Sequence, residues 1–261
     1  MPRPILATIH TPAFRNNLER VRRAAPDARV WAVVKANAYG HGIERAFEGM
    51  RGADGFALLD FNEAQRVRDL GWRGPILMLE GAFELRDLEL CSRLDLWHTV
   101  HCDAQIDMLA AHKTNVPQRV FLKMNSGMNR LGFTPERYRS AWARLNALPQ
   151  VDEITLMTHF ACADEPASDK TRQQLACLQA LYQQLPAIPR SFANSAAILA
   201  WPESHHQWVR PGIMLYGATP FAQHQAQASQ LKPVMSLQSQ IIGVRELPAG
   251  EPVGYARSEE H

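Results

Sequence analysis

Apolar positions come in short runs along this chain, each followed by an amphipathic stretch. Eight runs read as strands: VWAVVKA from Val30, GFALLD from Gly55, PILMLE from Pro75, DLWHTV from Asp95, RVFLKM from Arg119, EITLMTH from Glu153, RSFANS from Arg190 and WVRPGIML from Trp208. They are nearly continuous in apolar residues, as strands buried on both faces should be. Helical patterns such as FNEAQRVRDLG and TPERYRSAWARLNAL lie between them, the latter opening on Thr134-Pro135, an N-cap followed by a first-turn proline. Strand alternating with helix predicts α/β architecture with a parallel sheet. Eight such units in about 200 residues fit a closed (β/α)8 TIM barrel. The open doubly wound alternative would show a GxGxxG first turn, which the sequence lacks.

The pattern changes after Tyr216. ATPFAQHQAQASQLK is rich in Ala and Gln and reads as a linker, and PVMSLQSQIIGVRELPAGEPVGY alternates like antiparallel β, with a turn signal at Pro248-Ala249-Gly250. The expected organisation is a barrel over residues 11–222, then a linker and the start of a C-terminal β-rich domain over 223–261, its β pattern beginning near Leu231. About thirty residues are too few for a β-domain core, so this tail reads as a domain cut off early.

Composition changes the picture little. The chain has 261 residues, 46% of them apolar, and Lys plus Arg number 28 against 26 for Asp plus Glu. So small an excess gives no reason to expect nucleic acid or an anionic membrane as partner, and any anion must be held by a local site. The N-terminus MPRPILATIH carries no signal-peptide pattern, and no run is long enough to span a bilayer. Cys91, Cys102, Cys162 and Cys177 form no CxxC pair and fit neither a zinc site nor a disulfide framework. They read as reduced thiols in a cytoplasmic protein.

Functional residues of a barrel collect at the C-terminal strand ends. Here these are Lys35; Lys123 with Arg130 in the following loop; His159; Asn194 and Ser195; and Arg210 with Gly212 and Ile213 after it. A lysine after Trp-Ala-Val-Val is on the plainer view a snorkelling stem. In a partly desolvated pocket it is a nucleophile toward a carbonyl, most commonly that of pyridoxal. Ser195, opening the apolar helix AAILAW, and the amides of Gly212 and Ile213 are candidate phosphate donors, or else an ordinary N-cap and turn. Arg210 in an apolar strand needs a partner. That partner is an ion pair, or a pyridine nitrogen that a permanently protonated guanidinium would leave neutral. His159 is placed to hydrogen-bond Arg210. His98 and His101 fall on opposite faces of a strand, which argues against one metal, and no metal is expected. His205-His206 read as surface residues at the other end of the barrel.

WAVVKANAYGHG resembles the cofactor-lysine signature of the alanine racemases. LKMNSGMNRLGF, MTHFACADE, FANSAA and VRPGIMLYG resemble four further blocks of that family in the same order. The resemblance spans residues 4 to 255. It implies pyridoxal 5'-phosphate as cofactor, in internal aldimine with Lys35, which also acts as the base on the D-side α-proton of alanine. It implies a phosphate cradle of Tyr39, Ser195, Gly212 and Ile213, with Asn194 beside it. Arg130 would contact the cofactor's phenolic oxygen and the substrate, Lys123 would stand at a position often N-carboxylated, and Arg210 would face the pyridine nitrogen, backed by His159. It further implies interconversion of L- and D-alanine for cell-wall peptidoglycan and a homodimer for the full-length enzyme. Residues 4–10 would form a strand of the β domain. The family's L-side base, a tyrosine from the other subunit, belongs to a block downstream of Gly254-Tyr255. Tyr255 does not inherit the role, and the chain is expected to lack that base. A different reading is a non-catalytic pyridoxal-phosphate carrier on a lone barrel. The blocks around Arg130 and Arg210 and the β-like tail argue against it. A third is a phosphate-binding barrel enzyme without pyridoxal.

Overall fold

In the computed structural model residues 3–255 are described, and the chain divides into two compact units, Ile9–Met235 and Met1–Thr8 with Ser236–His261. The larger unit holds eight parallel strands closed into a barrel: β2 (Arg29–Val33), β3 (Gly55–Leu58), β4 (Ile76–Met78), β5 (Trp97–Val100), β6 (Gln118–Lys123), β7 (Val151–Met157), β8 (Arg190–Ser191) and β9 (Trp208–Val209). Each pairs with the next, and β9 closes onto β2 through Arg29↔Trp208 and Val30↔Val209. A helix separates each consecutive pair of strands up to β9, including Phe61–Asp69, Pro135–Asn146, Lys170–Tyr182 and Ser195–Ala200. This is the (β/α)8 barrel that the alternation predicts. A separate two-stranded sheet pairs β1 (Ile5–Ile9) with β10 (Met235–Ser239), and all but Ile9 and Met235 of these strands belong to the smaller unit. The turn expected at Pro248-Ala249-Gly250 forms, with Gly250 at φ +86° and the Glu251 amide donating to the Pro248 carbonyl at 3.1 Å. Residues 256–261 of the tail lie outside the described residues.

The apolar runs are continuous because alternate side chains enter two different cores. Trp31, Ala57, Leu77, Trp97, Phe121 and Trp208 fill the barrel, whereas Val30, Ala32, Phe56, Ile76 and Leu122 pack outward under the helices. Trp31 and Trp208 stack at 4.2 Å between centroids, with Trp97 edge-on to both. Gly55 is the residue this packing demands: a Cβ there would lie 2.2 Å from the Trp31 ring.

The last two strands are shorter than the apolar runs predict. Backbone bonding runs past their ends to the Arg210 amide, which donates to the Ala193 carbonyl at 2.9 Å, and to the Pro211 carbonyl, which accepts the Val33 amide at 3.1 Å. Pro211 supplies no amide to the ladder, and Ile213–Tyr216 winds into a 3-10 helix. Among the described residues no helix is long and apolar enough to cross a membrane.

Candidate active site

A cavity of about 390 Å³ opens among the residues that follow the C-terminal strand ends. Lys35, Tyr39, Lys123, Arg130, His159, Asn194, Ser195, Arg210, Gly212 and Ile213 all line it, so every site residue expected from the sequence faces one space. Leu59, Leu79, Glu80, Asp164 and Thr219 line it too, and the sequence reading missed them. Leu59, Leu79 and Glu80 were within reach, since they end the second and third barrel strands just as Lys35 ends the first.

The segment Lys35–Tyr39 is one helical turn of left-handed sense. Ala36, Asn37, Ala38 and Tyr39 have φ of +52° to +55°, and Gly40 follows at +83°. For L-residues this conformation costs roughly 1–2 kcal/mol each, and it rarely occurs in succession. The turn puts Lys35 and Tyr39 at its two ends, both half-buried. The Lys35 Nζ lies 6.0 Å from the centre of the Tyr39 ring. Tyr39 stacks on Tyr216 at 4.5 Å, and burial raises its phenol pKa above the ordinary value.

Opposite Tyr39 stands Gly212, where a Cβ would come within 2.5 Å of the Tyr39 hydroxyl. Glycine is therefore needed for the phenol to meet the backbone. Ser195 does not cap its helix. Asn194 does, its Oδ1 accepting the Ala197 amide at 3.0 Å. The Ser195 hydroxyl instead accepts the amides of Gly212 at 2.9 Å and Met214 at 3.4 Å. With both acceptor positions used, its own proton is free to be donated.

Arg210, 4% exposed, has no carboxylate partner among the described residues. One terminal nitrogen donates to the Ser191 carbonyl and hydroxyl at 2.5 and 2.6 Å, the other to the carbonyls of Thr158 and Phe192 at 2.6 and 3.1 Å. This replaces both the ion pair and the His159 contact entertained from sequence. The strands end in carbonyls, and of these only that of Ser191 accepts another donor among the described residues, the Thr158 amide at 3.4 Å. A fixed guanidinium fork matches several at once. Burial brings its pKa down to about 9, which leaves it charged at neutral pH. Among the described residues its Nε–H has no hydrogen-bond partner.

Lys123 is 6% exposed, and among the described residues its side-chain amine makes no hydrogen bond or ion pair. Burial and then the charges of Arg210, Arg130 and Lys35, partly offset by Glu80, lower its pKa to about 8. The same cations, after burial, lower that of His159 to about 3, so its ring is neutral. Arg130 sits on an exposed loop. Gln174 ties that loop to the one carrying His159: its amide donates to the Ser126 hydroxyl at 2.9 Å and to the His159 carbonyl at 3.1 Å.

Other candidates lie elsewhere. His98 is buried within β5, and burial lowers its pKa to about 4. His205 and His206 are half-buried rather than surface residues: His205 contacts the Ala197 carbonyl, and His206 packs edge-on against Phe192. The four cysteines are free. Tyr255 belongs to the smaller unit and is 98% exposed.

Residues 9–220 match the family model described as "Alanine racemase, N-terminal domain". An alanine racemase of Acidovorax sp. (strain JS42) is 69% identical over 259 residues, which cover 98% of this chain and 70% of that protein. One of Variovorax paradoxus (strain S110) is 66% identical over 257 residues, 98% of this chain and 69% of the relative. The crystal structure of the biosynthetic alanine racemase from Pseudomonas aeruginosa superposes with a TM-score of 0.94 at 44% identity, covering 98% of this chain and 72% of that one. The alanine racemase from Bartonella henselae with covalently bound pyridoxal phosphate gives 0.87 at 26% identity, over 99% and 72%. The chain thus spans about 70% of the length of these curated relatives.

Proposed function

This chain belongs to the alanine racemase family of isomerases, and from that premise we propose that it interconverts L- and D-alanine with pyridoxal 5'-phosphate carried on Lys35. The observation that supports the reading most is the pairing of a half-buried strand-end lysine with a cradle of free donors in one cavity. The cradle fits a phosphate. The Ser195 hydroxyl proton is uncommitted, the Tyr39 phenol faces the cavity, and the missing Cβ of Gly212 keeps the approach open. Bound there, pyridoxal phosphate supplies the electron sink that acidifies the α-proton of an amino acid.

The roles of the chain's own residues follow. Lys35 Nζ would hold the cofactor at its carbonyl carbon, with water as the group lost. As a free amine, once a substrate amine has taken its place, it would carry the proton on the D-side of the α-carbon. Tyr39, Ser195 and the Ile213 amide would bind the phosphate beside Gly212, whose own amide is spent on orienting the Ser195 hydroxyl, while Asn194 fixes the helix that presents Ser195. Arg210 would offer its free Nε–H to the ring nitrogen. Because guanidinium keeps its protons, it would leave that nitrogen unprotonated, which would limit the electron sink and disfavour side reactions. Neutral His159 completes the wall without adding a fifth positive charge. Arg130 takes the phenolic oxygen and the substrate carboxylate. Lys123, with a pKa of about 8, holds enough neutral amine near pH 8 to accept carbon dioxide, and the resulting carbamate would orient Arg130. The reading includes a cytoplasmic homodimer whose D-alanine enters peptidoglycan.

Borohydride reduction of the cofactor-loaded protein and peptide mapping test this. A pyridoxyl group is expected on Lys35 and none in Lys35→Arg. A label elsewhere, or none with cofactor in excess, overturns the assignment. A labelled protein that exchanges no α-proton of D-alanine into D2O would favour the carrier reading instead.

A further inference from the structure

The left-handed turn raises the question of what holds it. In four successive residues the backbone adopts a conformation that L-residues avoid, and such strain persists only where the surroundings over-determine it. The turn has its own backbone bonds, the Ala38 amide to the Val34 carbonyl at 2.8 Å and the Gly40 amide to the Ala36 carbonyl at 3.0 Å. The residues that follow brace it, with the Gly42 amide on the Asn37 carbonyl at 2.9 Å and the His41 ring 3.0 Å from the Ala38 and Tyr39 carbonyls. The grip on Asn37 from farther along the chain comes from one neighbouring helix. Phe61–Asp69 starts at the end of β3, where Asp60 caps it by accepting the Asn62 amide at 2.6 Å. From its first turn the Glu63 Oε1 accepts the Asn37 backbone amide at 2.5 Å. One turn on, Arg66 donates to the Asn37 side-chain oxygen at 3.0 Å, and the Ile43 amide shares that oxygen at 3.2 Å. Arg66 is itself fixed by a two-pronged ion pair to Glu44, at 2.8 and 2.7 Å. The middle of the turn is gripped at its amide and at its side chain.

We propose that Glu63 is a positioning residue for Lys35 and Tyr39: its carboxylate holds the strained turn closed and so sets the amine and the phenol at their separation across the cavity. This rests on the reading of Lys35 and Tyr39 given above. Three features single out Glu63 over its neighbours. It is the described acceptor for the Asn37 amide, whereas the Val33 carbonyl, four residues back, is occupied by the Tyr216 hydroxyl at 2.9 Å. Its second oxygen is buried without a hydrogen-bond partner, so it is held at some desolvation cost for a single bond. And it is not among the residues that line the cavity, so its hold on Lys35 and Tyr39 runs through the turn that carries them.

The test uses the whole chain and two readouts, one of which needs no cofactor. Amide hydrogen exchange is followed in peptides over residues 34–42 and, as a control, over β6. Pyridoxal phosphate affinity is titrated separately. Losing a hydrogen bond to a charged acceptor corresponds to roughly a ten- to hundredfold change. Glu63→Ala should therefore speed exchange by about tenfold or more in residues 34–42 alone and weaken cofactor binding similarly. Glu63→Gln keeps an oxygen at the same reach and should restore both. Glu63→Asp keeps the charge but withdraws the oxygen by one methylene, and should behave like the alanine variant. It is also the variant that keeps the test alive should Glu63→Ala not fold. Unchanged exchange in Glu63→Asp overturns the proposal, as does protection lost evenly across the barrel. If the wild-type chain binds no pyridoxal phosphate on Lys35, the functional reading fails, while exchange in the cofactor-free chain still decides the role of Glu63.

Discussion

Gly212→Ala isolates the meeting point of Tyr39 with the backbone. The new Cβ would sit 2.5 Å from the Tyr39 hydroxyl, 3.4 Å from the ring carbon bearing it and 3.8 Å from Val33 Cβ. Ordinary contact begins near 3.5 Å, so the hydroxyl must retreat by about 1 Å and carry the rigidly attached ring with it, whereas Val33 need hardly move. The ring cannot swing freely, because it stacks on Tyr216 at 4.5 Å and grows from the strained turn. A retreat of that size removes the hydroxyl from a phosphate it would otherwise bond. A hydrogen bond to a charged group contributes about 1.5–3 kcal/mol, or roughly 10- to 150-fold in Kd.

Titrating the cofactor-free protein with pyridoxal phosphate, and in parallel with pyridoxal, should show that loss for the phosphate ester and little for the free alcohol. Tyr39→Phe removes the clashing atom, so Gly212→Ala added to it should cost almost nothing further. A double-mutant cycle then reads the coupling directly. Equal losses from Gly212→Ala with and without the Tyr39 hydroxyl would refute the steric argument. Equal losses for pyridoxal and its phosphate would refute the cradle.

Two further outcomes concern stability. Arg210→Gln leaves the carbonyls of Ser191, Phe192 and Thr158 partly unsatisfied in a buried place, so urea denaturation should show a loss of about 3–5 kcal/mol; a loss under 1 kcal/mol would mean that water takes over these contacts. His98 has a folded pKa of about 4 against an ordinary 6.5, so the unfolded chain takes up its proton first, and stability present above pH 6.5 is lost as pH falls toward 4. His98→Gln should flatten that decline by about 1.4 kcal/mol per pH unit, and an unaltered slope would show that His98 protonates without unfolding.

The barrel was legible because both of its cores are written into the apolar runs, and strand ends could be counted off them. Lys35, Lys123, Arg130 and Arg210 stood out as cations in or beside apolar runs, which is costly without a purpose. What sequence could not give was direction. Arg210 looks like half of an ion pair until the short β8 and β9 expose carbonyls for it to bind. Ser195 looks like a helix cap until Asn194 takes that place. The left-handed turn is hidden altogether, since Ala-Asn-Ala-Tyr carries no glycine to announce a positive φ. It exists because Glu63 and Arg66, more than twenty residues on, grip Asn37, and no local pattern records that grip.

Charge explains why such precision is needed. The whole chain carries a formal net charge of only +2, yet Lys35, Lys123, Arg130 and Arg210 converge on one cavity, against Glu80 and Asp164 on its wall. The excess leaves its mark on the bystanders: the pKa values of Lys123 and His159 both fall, in part because these cations repel a further proton. A field of this kind, surrounded by a nearly neutral surface, acts over the few ångströms of the cavity and not at long range. It suits a ligand with two anionic groups, which on the proposed reading are a phosphate at Tyr39 and Ser195 and a carboxylate at Arg130. The charges can discriminate between those positions only if the backbone holds each of them in place. In this barrel, strand ends do so for Lys123 and Arg210, and a braced, strained turn does so for Lys35.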